Sequence, residues 1–430
     1  MKKLLFLSLA LSSQNTFASN ETDDWEAWDQ EPSEETAGTI PVSGFLQYFF
    51  SNRTVDNDLI SEDTIANEVR LRLETTYHSE SWYVNYKGDL YFDEVSSKAS
   101  ARNRESFIHA SPTSAIDLRA GRQILTWGTG DLLFLNDLFP KNWKAFFSGD
   151  DQQYLKNPSD ALKASWYSDV VNIDLVWSPI FDHDTYIDGE RFSYFSPLYN
   201  ATVAASPIMK GQSPEHDIDN GEYSARIYRN ISGTEYAGYF YRGFYKTPEG
   251  FDPLTDSLYF PRMNAIGASA RGSVLSGIGY AEFSYYDSVE DRDGKSPYVP
   301  NSETRFLIGY EQEIVKDLTL SVQGYLEHIH DYKFLAEETE FLEHTPEQNR
   351  NVLTIRITYL ALNNNLVWTT FLFYSPNDHD LYLLPSAKYR VDDNFEVSAG
   401  FNYFKGDYRS TMFGQFQENS NAYLRVKFIF

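Results

Sequence analysis

The sequence predicts an all-β chain, a closed antiparallel barrel of about eighteen strands (16–18) that crosses a membrane. Three observations carry that expectation. Segments of about ten residues alternate apolar and polar side chains, long and short connections between them also alternate, and the chain ends on an alternating stretch, "NAYLRVKFIF". Period-two alternation marks a strand with one oily and one wet face. A tilted strand needs roughly 9–11 residues to cross a bilayer.

The alternation is explicit in each segment. In "NEVRLRLETTYH" Val69, Leu71, Leu73 and Tyr77 share one face, and Glu68, Arg70, Arg72 and Glu74 the other. "SWYVNYKGDLYF" sets Trp82, Val84, Tyr86, Leu90 and Phe92 against Tyr83, Asn85, Lys87, Asp89 and Tyr91. "VVNIDLVWS" sets Val171, Ile173, Leu175 and Trp177 against Asn172 and Asp174, and "NVLTIRITYL" sets Leu353, Ile355, Ile357 and Tyr359 against Thr354, Arg356 and Thr358. The last segment sets Leu424, Val426, Phe428 and Phe430 against Tyr423, Arg425 and Lys427.

Short links are expected near 79–81, 112–115, 168–169, 230–233, 272–274, 315–317, 363–365 and 392–394. Between them lie long, acidic, Gly- and Pro-bearing stretches at 52–64, 93–103, 126–160, 179–221, 246–260, 288–302 and 331–348. A soluble sandwich has no reason to keep every second loop short, whereas a membrane barrel with short periplasmic turns does. Hydrocarbon offers no hydrogen bonds, so every backbone group pairs between strands and the sheet must close. A Lys or Arg facing lipid at mid-bilayer costs about 2–4 kcal/mol, which assigns Arg70, Arg72, Lys87, Arg356, Arg425 and Lys427 to the lumen.

The barrel is expected over 41–430, preceded by two shorter regions. Residues 1–18 read as an export signal, with Lys2 and Lys3 before the apolar run Leu4–Leu11 and small residues to Ala18. That run is far below the ~18 apolar residues of a spanning helix. Residues 19–40 are crowded with acids, and their composition predicts a disordered periplasmic tail, in which Trp25 and Trp28 are either incidental aromatics or docking residues. Residues 20–36 are the expected contact for a periplasmic transport partner. The chain has no cysteine, which excludes disulfides and thiolate chemistry, and its net charge of -26 argues against nucleic acid as a partner.

Candidate functional residues fall in two groups. Arg70, Arg72, Arg119, Arg122, Arg226, Arg242, Arg305 and Arg356 are the candidate pore-lining and selectivity set, with Arg390 beside them. Two readings stay open: lumenal arginines that favour anionic or zwitterionic solutes, or arginines that pair with lumenal acids and fill the interior. The stretch "WGTGDLLFLNDLFPKNWKAFFSGDDQQYLKNPSD" after the fifth strand is too apolar for a surface loop. It is expected to fold into or over the lumen as a constriction, carried by Trp127, Asp131, Phe134, Asp137, Phe139 and Trp143. The loop 179–221 is expected to help cap the outer mouth.

Chemistry-bearing motifs are thin. There is no G-x-S-x-G elbow, and His328 and His330 form a metal pair only if further ligands join them. No catalytic residue, metal or cofactor is assigned.

Phe430 and Phe428 resemble the terminal signature by which the outer-membrane assembly machinery recognises barrels. Gly121-Arg122-Gln123, Trp127-Gly128, Asp131, Asp137 and Pro140, with the strand pair ending at Pro179, resemble an uncharacterised family of Gram-negative outer-membrane barrels. Its members occur with RND-type exporters and periplasmic lipid-carrier-like proteins. The Gly-Arg-Gln element is also similar to alginate-export-type barrels of eighteen strands. The resemblance covers some sixty residues. It implies an outer-membrane, porin-like channel in a Gram-negative bacterium, working alone on small or amphiphilic anionic solutes or with an exporter on lipid-like or polymeric ones. Outer-membrane lipids and lipopolysaccharide are the expected surroundings. A barrel hydrolase and an adhesin or receptor are the competing classes.

Overall fold

The computed structural model describes residues 41–204, 210–339 and 341–430. The expected signal at 1–18 and the tail at 19–40, with Trp25, Trp28 and the 20–36 contact, lie outside the described residues. Eighteen antiparallel strands form one sheet. In chain order they are β1 (Val42–Arg53), β2 (Thr64–His78), β3 (Trp82–Asp93), β4 (Lys98–Thr113), β5 (Ile116–Ile124) and β6 (Pro158–Trp166). There follow β7 (Asn172–Ser178), β8 (Glu222–Ile231), β9 (Thr234–Phe244), β10 (Arg262–Val274), β11 (Gly277–Ser288) and β12 (Glu303–Val315). The last six are β13 (Leu318–Ile329), β14 (Asn349–Ala361), β15 (Leu366–Ser375), β16 (Asp380–Arg390), β17 (Phe395–Gly406) and β18 (Asn421–Ile429). Each strand pairs with its sequence neighbours, and β18 returns to β1 with Phe45 opposite Ile429 and Arg53 opposite Asn421. Phe430 and Gly44 exchange both backbone hydrogen bonds at 3.0 Å, which completes the seam and leaves the sheet without an edge.

All eight links on one side are two to five residues long. Their tightness comes from left-handed residues: Ser232 and Gly233 both have positive φ, as the favoured two-residue hairpin turn requires. The long loops lie on the other side. One expectation fails there: residues 93–103 are not a long loop. The chain turns within 94–97, where the Asp93 carboxylate accepts from the Val95 amide and the Ser96 hydroxyl, and Lys98–Asn103 belong to β4. A strand extending beyond the hydrocarbon needs no apolar face, so "KASARNR" is strand without the alternation that marks one.

The packing inverts that of a soluble domain. Leu90, Ile108, Leu175, Ile266, Ile308 and Trp368 point out of the wall and are exposed, while Gln47, Arg72 and Thr354 point inward and are at most 1% accessible. Apolar side chains fully exposed to water around a whole circumference would cost about 1.5–3 kcal/mol each relative to burial. Hydrocarbon is the solvent that removes this cost, and the fold is a transmembrane β-barrel. Small aromatic clusters inside, such as Tyr241, Tyr245, Met263, Ala265 and Tyr286, replace a single central core.

Candidate functional site

The lumen is crossed by the loop between β5 and β6, residues 125–157. Its first arm is held by β11, β13 and β14. Glu282 of β11 presents one carboxylate oxygen to the Thr129 and Gly130 amides and the Thr129 hydroxyl, and the other to the Asn136 amide at 2.8 Å. Gly128, at φ +88, makes the turn that aims these donors at Glu282. Gln323 of β13 pairs with the Asp131 backbone as a strand would, accepting from its N–H at 2.8 Å and donating to its carbonyl at 2.9 Å. Asp131 also lies 2.7 Å from Arg356 Nε, angled out of hydrogen-bond geometry, and Arg356 pairs with Glu311 as well. The Tyr286 hydroxyl donates to the Leu135 carbonyl at 2.6 Å.

The second arm is a short helix, Trp143–Ser148, capped by the Asn142 side chain and by left-handed Gly149. Phe146 and Phe147 pack edge-on against Tyr382 of β16, and Phe147 also meets Phe404 of β17. The tip then reaches β1, β2 and β18. Asp150 accepts from Arg70 at 2.9 Å, and Asp151 accepts from Lys427 at 2.6 Å with Arg425 at 3.5 Å. The Tyr154 ring lies 3.8 Å beneath the Arg70 guanidinium, and its hydroxyl accepts from Arg72 at 2.6 Å. β2 and β11 stand nine strands apart in either direction around an eighteen-strand ring. The loop therefore spans the lumen from wall to opposite wall.

The six candidate constriction residues all belong to this crossing. Trp127 packs on Phe139 at 5.0 Å, and Phe139 joins Leu125, Ala161 and Val176 against the wall. Asp137 pairs with Lys141 at 2.9 Å, and Lys141 lies over the Phe134 ring at 4.7 Å. The Trp143 indole donates to Asp184 of the next long loop at 2.7 Å, and Asp184 also accepts from the Lys141 amide at 2.7 Å. The next long loop thus lies directly on the constriction at Asp184. It also packs Phe181 between Phe244 and Phe260 and joins Ser193 to Asn419 and Asn57. Burial holds the Asp184 carboxyl up at about 6 against the two hydrogen bonds that pull it down.

The arginines divide by parity. Arg70, Arg72, Arg226, Arg305 and Arg356 face the lumen, and each pairs with a carboxylate: Arg72 with Asp89, Arg226 with Glu235, and Arg305 with Glu303 at 2.6 Å. Arg119 faces inward over the Phe107 ring at 4.8 Å. Arg390 stands at the short-turn end, opposite Glu396. Two positions are corrected. Arg122 points out of the wall, where it pairs with Asp160 at 2.9 Å and donates to the Asn103 carbonyl. Residues 119 and 122 differ by an odd number, so one strand cannot turn both inward. Arg242 shares the outward face of β9 with Tyr236 and Phe240 and is exposed. Near the interface an outward Arg costs only ~0–1 kcal/mol, so charge alone does not place these two inside.

His328 and His330 lie at the outer rim with their rings 5.1 Å apart, engaged by Asn349 and Thr304 respectively. Among the described residues no group of three or more metal-ligating side chains forms. Glu282, Gln323, Asp150 and Asp151 went unpredicted. Glu282 had a signal: it sits at an inward position of "YAEFSYYD", an acid with no local partner.

No family model matches the sequence, and no curated protein matches it. Solved structures do. OccAB3 of Acinetobacter baumannii matches with a TM-score of 0.55 at 11% identity, covering 91% of this chain and 99% of that one. OccAB1 of the same organism matches at 0.52 and 9% identity, covering 93% and 98%. The outer membrane channel DcaP of A. baumannii lies further off, at 0.45 and 11% identity over 92% and 99%. At these identities the likeness is one of fold alone.

Proposed function

We propose that the chain is a Gram-negative outer-membrane channel for small solutes, with residues 125–157 setting what passes. The observation that carries this reading is the wall-to-wall span of that loop between Glu282 and Arg70. It narrows the lumen at its level, so conductance should report the loop. A preference for anionic solutes is part of the proposal, but not because of bare arginines. It rests on Asp150 and Asp151: when they leave the wall, Arg425 and Lys427 lose the carboxylate they share and Arg70 keeps only Glu68, which leaves net positive charge facing the lumen.

Single-channel recording in planar bilayers tests the reading. Deletion of 130–155 is expected to raise conductance well above the wild-type level. Equal conductance in the two proteins would mean that the loop does not set the pore. A barrel hydrolase would require a nucleophile beside a base at the outer rim. His344 and Asp378 lie 3.5 Å apart there, but Ser375 is fully buried and donates to Asp378 rather than to the imidazole.

A further inference from the structure

The apolar belt on the outside of the barrel ends at a regular height, except in one sector. Counted upward from the last strand residue at each short turn, an outward amide, imidazole or charged side chain stands ten positions up on six strands: Asn52 on β1, Asn264 on β10, Asp287 on β11, His328 on β13, Asn351 on β14 and Lys405 on β17. Ten positions are about 34 Å of strand. At a tilt of about 40° that is about 25 Å of height, the apolar band of an outer-membrane barrel. On β5 and β6 the belt stops early: Arg122 and Asp160 face outward only six positions up, and Ser106 of β4 follows at seven. Arg242 of β9, at eight, stands between the two levels. The outer edge of the belt is therefore about 10 Å lower at β5 and β6. The nearby β3 keeps exposed Leu90 and Phe92 at eight and ten, so the drop is local and not a tilt of the whole barrel.

Neither charge of the low pair can rise to meet a higher interface. Asp160 has a single methylene, and Arg122 is held sideways, its Nε donating to the Asn103 carbonyl at 3.1 Å and its Nη1 to Asp160 at 2.9 Å. The Asp160 side chain remains 49% exposed on the outside of the wall. Directly above, Ile124 and Pro158 also point outward yet are buried, so protein and not lipid covers the wall there. The loop after β7 comes down to the same level, where Asp182 accepts from the Asp160 amide at 3.3 Å. The Gly121-Arg122-Gln123 element builds this corner. Gly121, at φ +126, lies so close to β4 that a Cβ would stand 2.4 Å from the Ser106 carbonyl oxygen, and inward Gln123 donates to the Ala161 carbonyl at 3.0 Å.

We infer that the outer leaflet thins against β4 to β6, so that lipid headgroups and their water come down to the Arg122–Asp160 pair. A hydrophobic face shorter than the bilayer is matched by thinning, by lifting charged side chains to the interface, or by association with another copy. The geometry of the pair closes the second route. The third needs a partner surface, and two charges that already neutralise one another offer a protein no ionic contact. Headgroups, which bring water and both signs of charge, suit a neutral pair. The thin spot lies beside Leu125, where the constriction loop leaves the wall. The inference holds whether or not the lumen conducts.

Because the chain has no cysteine, single nitroxide labels test this in the full chain refolded into vesicles of phosphatidylcholine and phosphatidylglycerol. Leu162→Cys on β6 and Ile357→Cys on β14 each stand four positions above a short turn, on the lipid side. A flat bilayer would give both labels the same ratio of collisions with oxygen and with a water-soluble nickel chelate. The thinned leaflet is expected to raise nickel collisions several-fold at Leu162→Cys over Ile357→Cys. Adding R122L/D160L should return the Leu162→Cys label to the Ile357→Cys ratio, whereas R122Q/D160N, which stays polar, should leave it shallow. Unheated gel mobility reports whether each variant is a folded barrel. Equal ratios at the two labels would overturn the inference, as would a Leu162→Cys label that stays shallow in folded R122L/D160L. Shielding of that label from both reagents, with dipolar broadening, would also overturn it, because a second copy would then cover the sector.

Discussion

Glu282 and Asn136 meet across the lumen wall at 2.8 Å, the wall residue accepting from the loop residue, while the other carboxylate oxygen of Glu282 takes two further backbone amides. One wall side chain therefore satisfies the loop donors that the turn at Gly128 leaves without partners. Replacing it with alanine strands them, at about 1–3 kcal/mol for each buried donor left unpaired. Glu282→Ala should loosen the first arm without opening the barrel, because no strand-pairing bond is lost. The expected result is a higher mean conductance with frequent brief closures, alongside a wild-type shift in unheated gel mobility. Steady wild-type current would show that Glu282 does not hold the loop.

At the opposite wall the contact is ionic. Lys427 and Arg425 converge on Asp151, and Arg70 on Asp150. Removing one partner of a buried pair costs about 3–5 kcal/mol, chiefly through the charge left behind. The D150N/D151N variant leaves three cations facing the crossing. Reversal potentials in a potassium chloride gradient should therefore move toward the chloride equilibrium value relative to wild type. The variant K427Q/R425Q should move them the other way. A common shift in both variants would mean that these charges do not face the permeation path.

The alternation that reveals the strands is legible because hydrocarbon tolerates no compromise on the outward face, so Leu353, Ile357 and Tyr359 announce themselves against Thr354, Arg356 and Thr358. The inward course of 125–157 is legible for a related reason: Leu132, Leu135, Phe139 and Phe147 are too apolar for a mobile outer loop, and all four are buried. Which wall residues receive that loop was not legible. Glu282 and Asn136 are separated by 146 positions, and no local pattern encodes such a pairing. Arg122 and Arg242 were misplaced because charge was weighed where parity decides. Residues 98–103 were missed because a strand outside the bilayer carries no oily face.

The outer mouth should respond to pH. Asp184 touches both Lys141 and Trp143 of the constriction, and burial raises its carboxyl from 3.8 to about 6. Asp182 beside it is also pushed up by burial. A carboxyl whose pKa is higher when docked than when free favours docking in its protonated form. That contribution is fully present at low pH and is lost as pH rises through about 6. For Asp184 it amounts to about 3 kcal/mol at most. Conductance should therefore be lower at pH 5 than at pH 7.5. Asp184→Asn removes the titrating group and should shrink the difference between the two pH values. An undiminished difference in that variant would assign the response to other groups.

The seam offers the sharpest test of what the last residue does. Phe430 contributes in two separable ways: its backbone exchanges two hydrogen bonds with Gly44, and its ring packs 6.3 Å from Phe428 on the lipid side. Phe430→Ala keeps the hydrogen bonds and loses the ring, whereas deletion of Phe430 loses both. If the ring serves recognition by the assembly machinery, the alanine variant should refold in detergent micelles at the wild-type rate yet reach the outer membrane several-fold less well in cells. The deletion should be slower in both settings, because Gly44 would be left with an unpaired amide at the closing edge, where each buried unsatisfied group costs about 1–3 kcal/mol. Equal behaviour of the two variants in micelles and in cells would leave the ring without a role and reduce the terminal residue to backbone closure.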